Sequence, residues 1–242
     1  MRVRAVIAYD GTDYGGFQRQ TNAPTVQAVL EAALAQVTQE AITVQAAGRT
    51  DAGVHAVGQV VAFNAAWRHE LSDLLRALNA VLPADVAVQA VVEASLDFHP
   101  RYDARSRRYR YTLYNAPVRW PLARRYSLHL ASPLDVAMMQ RAAQALVGEH
   151  DFATFGKPPQ GKITVRRVLV AEWSGEPPWL TFDVEANAFL YRMVRSIVGT
   201  LLQVGQGRMS VEKFVSVLAS CDRSQSGPTA LPHGLCLTEV KY

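Results

Sequence analysis

One short segment of the sequence carries side chains that could do chemistry, and it separates two runs of apolar alternation. The segment is Gly48–Gly53, which reads GRTDAG, and His55 follows closely. Its glycines permit backbone conformations closed to other residues and the close approach of a ligand. The loop is longer and more crowded with functional groups than a simple hairpin requires, so we hypothesise that Asp51 is a nucleophile. The alternative, which composition alone favours, is that Asp51 caps a turn and Arg49 is a solvated neighbour.

A second candidate segment, residues 105–112, alternates arginine and tyrosine with a period of two. On a strand, such a pattern places aromatic rings and a guanidinium on one face. Bases can stack on these rings, and each stacked base contributes roughly 1–3 kcal/mol to binding. The alternative is a half-exposed strand whose tyrosines pack on the sheet. The period places Arg107, Tyr109 and Tyr111 on one face, and Arg108, Arg110 and Thr112 on the other.

A third candidate segment opens a helix that we predict over residues 189–205, where apolar residues form a core stripe. Arg192 and Arg195 are three residues apart, so on a helix they would share one side near its N-terminal end. One interpretation is two solvated arginines. The other is that Arg195 pairs with a buried carboxylate and keeps it ionised.

Basic charge is concentrated in one part of the chain. The net charge is only +4, but residues 101–125 hold eight arginines and a single acid, Asp103. A positive field of that density attracts a polyanion, and arginine both binds phosphate and stacks on bases. We therefore expect a nucleic acid partner, with a solvated basic face as the alternative.

The rest of the composition excludes several classes of protein. At 242 residues, with 49% hydrophobic and 19% charged, the chain is globular and long enough to bury a sizeable core. No apolar run approaches the roughly 18–20 residues of a membrane span, and the N-terminus lacks a signal-peptide core, so we expect a cytoplasmic protein. Cys221, Cys236 and the six scattered histidines lack metal-ligand spacing, and we predict no metal site.

Hydrophobic periodicity predicts the order strand (2–10), helix (24–38), strand (42–47), strand (57–65), helix (71–82), strand (86–94) for residues 1–104. That is the split βαβ, or ferredoxin-like, arrangement, with helices on one face of an antiparallel sheet. Residues 105–242 show a looser echo of the same order, ending in a closing strand. We therefore predict an α+β fold in which two ferredoxin-like halves, 1–104 and 105–242, form one large, mostly antiparallel sheet. Helices would cover one face, and an active-site cleft would lie on the other.

Taken together, these segments resemble the tRNA pseudouridine synthase A family nearly from end to end. The most specific match is GRTDAGVHA, within AGRTDAGVHAVGQVV at residues 47–61. The other matching segments are YDGTDYGGFQRQ at 9–20, FHPRYDARSRRYRYTLYN at 98–115, NAFLYRMVRSIVGTLLQVG at 187–205 and GPTALPHGLCLTEVKY at 227–242.

The resemblance implies an isomerase that converts uridine to pseudouridine at positions 38, 39 and 40 of the tRNA anticodon stem-loop. It implies that Asp51 is the nucleophile and that Tyr109 stacks on the uracil and can take the C5 proton. It also implies that Arg195 pairs with the aspartate and that Arg49 helps to hold the target base out of its stack.

The resemblance also implies partners and a mode of action. Family members need no cofactor and no metal, and they form homodimers in which one tRNA touches both subunits. In this chain we expect the basic segment 101–125 to hold phosphates, and Arg107 and Arg108 to bind the substrate.

Two other functions stay open at this point. A non-catalytic RNA-binding protein on the same fold would keep the arginine–tyrosine strand and would not need Asp51. A nucleotide-processing hydrolase would use paired acids such as Asp10 and Asp13, and would release free base or cleave the chain. The segment FGKPPQGKITV, residues 155–165, departs from some relatives in a region that touches RNA, which leaves the substrate range open.

Overall fold

The computed structural model describes residues 1–158 and 161–242. The chain divides into two compact units, of which the first comprises Met1–Arg105 with Cys236–Tyr242 and the second Ser106–Leu235. Both units combine helices with strands that pair mostly antiparallel, which confirms the predicted α+β class. Among the described residues, no helix is long and apolar enough to cross a membrane. The segment 155–165, which departs from some relatives, falls partly on residues 159–160, outside the described residues.

The regular elements follow one another in the order that the hydrophobic pattern predicts, with a few additions. In chain order they are β1 (Arg2–Tyr9), α1 (Val26–Thr38), β2 (Gln45–Ala46), β3 (His55–Asn64), α2 (Leu71–Val81), β4 (Val86–Ala94), β5 (Ser106–Asn115), β6 (Leu128–Leu130), α3 (Val136–Gln144), β7 (Gly148–Asp151), β8 (Val165–Glu176), β9 (Trp179–Ala186), α4 (Met193–Gly205), α5 (Val211–Ala219) and β10 (Leu235–Lys241).

The first unit has the strand arrangement of a ferredoxin-like fold. Its strands lie in the order β4-β1-β3, with β2 antiparallel to β3 and β10 parallel to it. The apolar alternation of β1 buries Val3, Ile7 and Tyr9 on one side. The strand predicted over 42–47 shrinks to the two residues of β2, whereas β3 begins at His55, two residues before its predicted start. The loop that holds Asp51 therefore leads directly into β3.

The helices of the first unit are set by local signals. The Oγ1 atom of Thr25 accepts a hydrogen bond from the amide of Ala28 (3.4 Å) and caps α1, which begins at Val26 and not at Pro24 as predicted. At the other end of α1, Gln39 adopts a left-handed φ of 59° and stops the helix. The helices α1 and α2 pack on each other, and α2 packs on β4.

The last seven residues do not belong to the unit in which we predicted them. The closing strand was expected in the half 105–242, but Cys236–Tyr242 groups with the first unit. The cause is that β10 pairs with β3, and that the hydroxyl of Tyr242 donates to the carbonyl of Pro100 (2.9 Å). Hydrophobic periodicity identifies such a strand but does not say which neighbour it pairs with.

The second unit is a sheet in the order β5-β9-β8-β7, paired antiparallel, with β6 parallel to β5. The order β5-β9-β8 is that of the first three strands of a split βαβ unit, which supports the predicted echo. The helices α3, α4 and α5 pack on one another, and α3 packs on β8. We did not predict β6 and β7, because three and four residues are too few to show a period.

The helix predicted over 189–205 is shorter at its N-terminal end. It begins at Met193, because Arg192 adopts a left-handed φ of 61° and cannot continue a right-handed helix. The guanidinium of Arg192 lies over the ring of Tyr191, 4.9 Å from its centroid. The prediction that Arg192 and Arg195 share one side of a helix is therefore wrong.

Candidate active site

Backbone hydrogen bonds hold the loop around Asp51 on both sides of that residue. The amide of Phe17 donates to the carbonyl of Thr50 (3.1 Å), and the amide of Gly53 donates to the carbonyl of Tyr14 (3.3 Å). The amide of Val54 donates to the carbonyl of Asp51 itself (3.1 Å) and closes a turn. The side chain of Asp51 is half-buried, and that of Arg49 is exposed. The two residues predicted from this loop thus lie on a backbone with a defined conformation.

A glycine allows the segment 14–17 to lie directly against this loop. Gly16 has a φ of +104°, in the region that favours glycine, and a Cβ added there would lie 2.7 Å from the carbonyl oxygen of Thr50. Any other residue at this position would push the two backbones apart. Gly16 therefore sets the distance between the turn-rich segment 11–24, which reads GTDYGGFQRQTNAP, and the Asp51 loop.

We expect Gly16→Ala to lower the free energy of unfolding by about 1–3 kcal/mol, the usual cost of one residue held in a disfavoured backbone conformation. Gly48→Ala is the matched control in the same region, because a Cβ there meets no described atom within 4 Å and needs no positive φ. The control should be neutral or slightly stabilising. Urea denaturation of the two variants tests this, and equal stability of both would contradict the close approach.

Several buried polar side chains support the Asp51 loop, and sequence reasoning assigned them no role. The hydroxyl of Tyr9 lies 2.8 Å from Oγ1 of Thr50, and burial raises the pKa of this phenol above its usual range. The side-chain amide of Gln59 donates to the carbonyl of Gly48 (2.9 Å). The available signal was a polar residue at an inward position of a strand, since Tyr9 and Gln59 lie on β1 and β3 and both are buried.

In the second unit, Tyr109 lies on the inner face of β5. It is 8% exposed, and its ring meets that of Phe189 edge to face, with centroids 5.1 Å apart and planes at 87°. On the same face, Nη1 of Arg107 donates to the carbonyl of Asn187 (2.9 Å). The start of β5 is therefore fixed against the segment 187–189 that leads into α4. Tyr109 and Arg107 lie on the same face of β5, as the period of two predicts.

Tyr111 does not offer a ring to a ligand as the strand pattern suggested. It is 0% exposed, and its hydroxyl donates to the carbonyl of Leu231 (2.7 Å). Opposite it on β9 lies Phe182, which is also fully buried. The inward face of β5 is polar at the start of the strand and enters the hydrophobic core further along. The period of two therefore predicts which residues share a face, but not how deeply each of them is buried.

Arg108 lies on the opposite face of β5 from Tyr109, beside a buried carboxylate. Its Nε is 3.4 Å from Oδ1 of Asp183, and Arg110 binds the same carboxylate with Nε (3.1 Å) and Nη2 (3.0 Å). Two guanidinium groups thus compensate the burial of Asp183, which is 5% exposed. Arg108, predicted as a substrate contact, has a structural partner that would compete with phosphate for its guanidinium.

Arg195 lies in the first turn of α4 and is held by the segment 227–230. Its Nε donates to the carbonyl of Ala230 (2.8 Å), and the amide of Ala230 donates to the carbonyl of Arg195 (3.0 Å). This segment runs close to the helix, because a Cβ on Gly199 would lie 1.7 Å from the carbonyl oxygen of Pro228. Gly199 therefore allows the segment 227–230 to lie close enough to α4 to orient Arg195.

Each unit supplies side chains that suit acid–base and nucleophilic chemistry. Among residues 1–158 and 161–242, no group of three or more His, Cys, Asp or Glu side chains could hold a metal ion. The first unit supplies a carboxylate and an arginine from one loop, and the second supplies a tyrosine and an arginine on fixed backbone. Such groups can attack an electrophilic carbon, move a proton and stack on a base.

Comparison with known proteins gives a consistent result. A family model described as tRNA pseudouridine synthase matches residues 5–103 and 142–242. A tRNA pseudouridine synthase A from Geotalea uraniireducens is 47% identical over 242 residues, covering 100% of this chain and 99% of that protein. One from Chloroflexus aurantiacus is 50% identical over 246 residues, covering 99% of this chain and 88% of that protein.

One solved structure shows weak similarity to this chain. The archaeal box H/ACA sRNP Nop10–Cbf5 complex contains a chain that aligns with 93% of this chain and 60% of its own length. The TM-score is 0.40 and the sequence identity 13%, which is too low to support an argument about the fold.

Proposed function

Because the chain belongs to the tRNA pseudouridine synthase family, we propose that it isomerises uridine at positions 38, 39 and 40 of the tRNA anticodon stem-loop, with Asp51 as the nucleophile. Family membership makes the chain a pseudouridine synthase, which is an isomerase. The observation that carries the proposal is the GRTDAGVHA loop, which falls within the matched residues 5–103 and is fixed by hydrogen bonds on both sides of Asp51.

The reaction balances without any redox or phosphate step. The N1–C1′ bond of uridine breaks, the uracil turns, and C5 bonds to C1′; C5 then loses a proton and N1 gains one. A carboxylate can start this sequence by attacking C6 of the uracil or C1′ of the ribose, and in either case it must be ionised and partly desolvated. A half-buried Asp51 on a fixed loop meets the second condition.

The other groups follow from what the reaction needs. The target base must leave its stack at a cost of a few kcal/mol, and an aromatic ring with an arginine can recover part of that. We assign this role to Tyr109 and Arg49, and to Tyr109 also the removal of the C5 proton. We assign to Arg195 the positive charge that partners the carboxylate, a role that its two bonds to Ala230 support by fixing its orientation.

The arginines of the basic segment differ in exposure and in the partners they have inside the protein. Arg119 and Arg124 are exposed, whereas Arg107 is buried and Arg108 and Arg110 lie beside Asp183. An exposed guanidinium can bind phosphate without giving up a partner inside the protein. We therefore propose that the exposed arginines of 101–125 bind the tRNA backbone, and that Arg107 and Arg108 act mainly by shaping β5.

We expect tRNA affinity to fall steeply with salt, because each phosphate contact releases counterions. Replacing Arg119 and Arg124 together by Gln should reduce the slope of log affinity against log salt by about 2, since each phosphate contact contributes about 1. Arg76→Gln is the control, because Arg76 is exposed on α2 and pairs with Asp73. Filter binding at four salt concentrations measures the slopes; a flat plot for the native protein would exclude a phosphate-dominated interface.

We also propose that the protein acts in the cytoplasm as a homodimer, with one tRNA in contact with both subunits. The support is the family alone. Light scattering on the protein with and without tRNA tests the proposal: a particle that contains two protein chains is expected in both cases, and a complex of a single chain with tRNA would contradict it.

Two alternatives make different predictions. A nucleotide hydrolase using Asp10 and Asp13 is disfavoured by geometry, because Oδ1 of Asp10 accepts from the amide (3.0 Å) and hydroxyl (2.5 Å) of Thr12 and so caps a turn. A non-catalytic RNA-binding protein would bind tRNA and leave it unchanged. The deciding experiment maps pseudouridine by carbodiimide adducts on tRNA transcripts. Adducts at 38–40 support isomerisation if the mass of the tRNA before carbodiimide treatment is unchanged. Absence of these adducts supports the binding protein.

A further inference from the structure

We propose that Tyr9 is a positioning residue for Asp51, acting through the hydrogen bond between its hydroxyl and the side chain of Thr50. The inference rests on the proposed role of Asp51 as nucleophile. It assigns to Tyr9 no contact with the substrate. This role accounts for the burial of the Tyr9 hydroxyl against the side chain of Thr50, the residue directly before Asp51.

The contact is short and excluded from water. The Tyr9 hydroxyl lies 2.8 Å from Oγ1 of Thr50, and the two residues are 5% and 7% exposed. A hydroxyl buried without a partner costs about 1–3 kcal/mol, and the hydroxyl of Tyr9 avoids this cost through its bonds to Thr50 and to the side chain of Gln59. Tyr9 and Thr50 therefore form a specific pair whose geometry the surrounding protein enforces.

Tyr9 is itself held rigidly. It is the last residue of β1, paired in register with Ala56 of β3 and with Val86 of β4. Its ring packs on that of Phe17, with centroids 6.3 Å apart. The sheet therefore fixes the position of the Tyr9 hydroxyl, and the hydrogen bond to Thr50 restrains the loop relative to the sheet.

Three other bonds that support the loop differ from this one. Thr50 accepts from Phe17 and Gly53 donates to Tyr14 through main-chain atoms, and the side chain of Gln59 binds the carbonyl of Gly48, three residues before Asp51. Tyr9 is the side chain that anchors the residue directly before Asp51. Because a misplacement of about 1 Å near a reacting centre can cost roughly 100-fold in rate, loss of this anchor should appear in turnover before it appears in binding.

The Tyr9–Thr50 pair positions the loop of Asp51 and transfers no proton in the reaction. Burial keeps the phenol of Tyr9 neutral at any pH at which the enzyme is assayed, since it raises the pKa well above the ordinary value. A positioning role therefore predicts that the pH dependence of kcat keeps its shape when the hydroxyl is removed. A proton-transfer role would change that shape.

The test is a double-mutant cycle on single-turnover rates with tRNA transcripts. Tyr9→Phe and Thr50→Val each remove one hydroxyl with little change of volume, and each should lower the rate about 10- to 100-fold while the Kd for tRNA stays within about 2-fold. The double variant should be no slower than the slower single variant, because both remove the same interaction. Thr50→Ser, which keeps the hydroxyl, should retain more than half of the native rate.

The control for loss of a tyrosine hydrogen bond elsewhere in the same unit is Tyr242→Phe, whose hydroxyl binds the carbonyl of Pro100. It should leave the rate unchanged. Additive losses in the double variant, an altered pH profile in Tyr9→Phe, or equal losses in rate and affinity would overturn the proposal. These outcomes are distinct from failure of the proposed function, in which Asp51→Ala would itself remain active.

Discussion

Asp51→Asn should lower the turnover of tRNA by at least about 10⁴-fold, the scale on which loss of a nucleophile acts, while tRNA affinity stays within a few-fold. Asparagine has nearly the shape of aspartate, so the loop and its backbone bonds to Phe17 and Val54 should persist. It lacks the negative charge that attacks carbon, and no other carboxylate lies in the segment GRTDAG.

Asp51→Ala accompanies this variant, because deamidation of asparagine could restore a trace of the native residue. The matched control is Asp13→Asn, which changes an exposed aspartate of the neighbouring turn-rich segment. Rates come from single-turnover reactions with enzyme in excess. Ordinary activity in Asp51→Ala, with correct folding, would exclude Asp51 as the nucleophile, and loss of activity in Asp13→Asn would favour the paired-acid hydrolase.

The second large effect is expected at Tyr109. Tyr109→Phe keeps the ring that packs edge to face on Phe189, so the fold and base stacking should be preserved. It removes the only group of the side chain that can accept the C5 proton. General acid–base groups contribute about 10²–10⁴-fold, and we expect a loss of that size in rate with a change in affinity below 3-fold.

Tyr114→Phe serves as the control on the same strand, because Tyr114 lies on the other face and packs among Trp120, Trp179 and His129. Its rate should match that of the native protein. Equal losses of rate and affinity in Tyr109→Phe would assign Tyr109 to binding alone, and an unchanged rate would remove it from the chemistry.

Much of the fold could be predicted from period alone. The strand β4 and the helix α2 have predicted and observed bounds that agree within one residue, because each shows several repeats of a clear apolar period. The failures are local. Arg192 has a left-handed backbone that no apolar pattern encodes, and of the strand predicted over 42–47 just the two residues of β2 pair with β3.

The candidate site shows the same division. The loop around Asp51 could be identified by its glycines and charges, and by its resemblance to a family. The hydrogen bond between Tyr9 and Thr50 could not, because it joins residues 41 positions apart in sequence. The pairing of Arg108 and Arg110 with Asp183 also depends on the register of β5 and β9, which sequence reasoning did not fix.

The most direct test of the central claim is tritium release from tRNA transcripts labelled at C5 of uracil. Formation of the C5–C1′ bond replaces the C5 hydrogen, so each isomerisation releases one tritium to water. We predict release by the native protein from transcripts with uridine at positions 38–40, and none by Asp51→Ala. No release by well-folded native protein would contradict the proposed isomerisation, and release by Asp51→Ala would mean that another residue is the nucleophile.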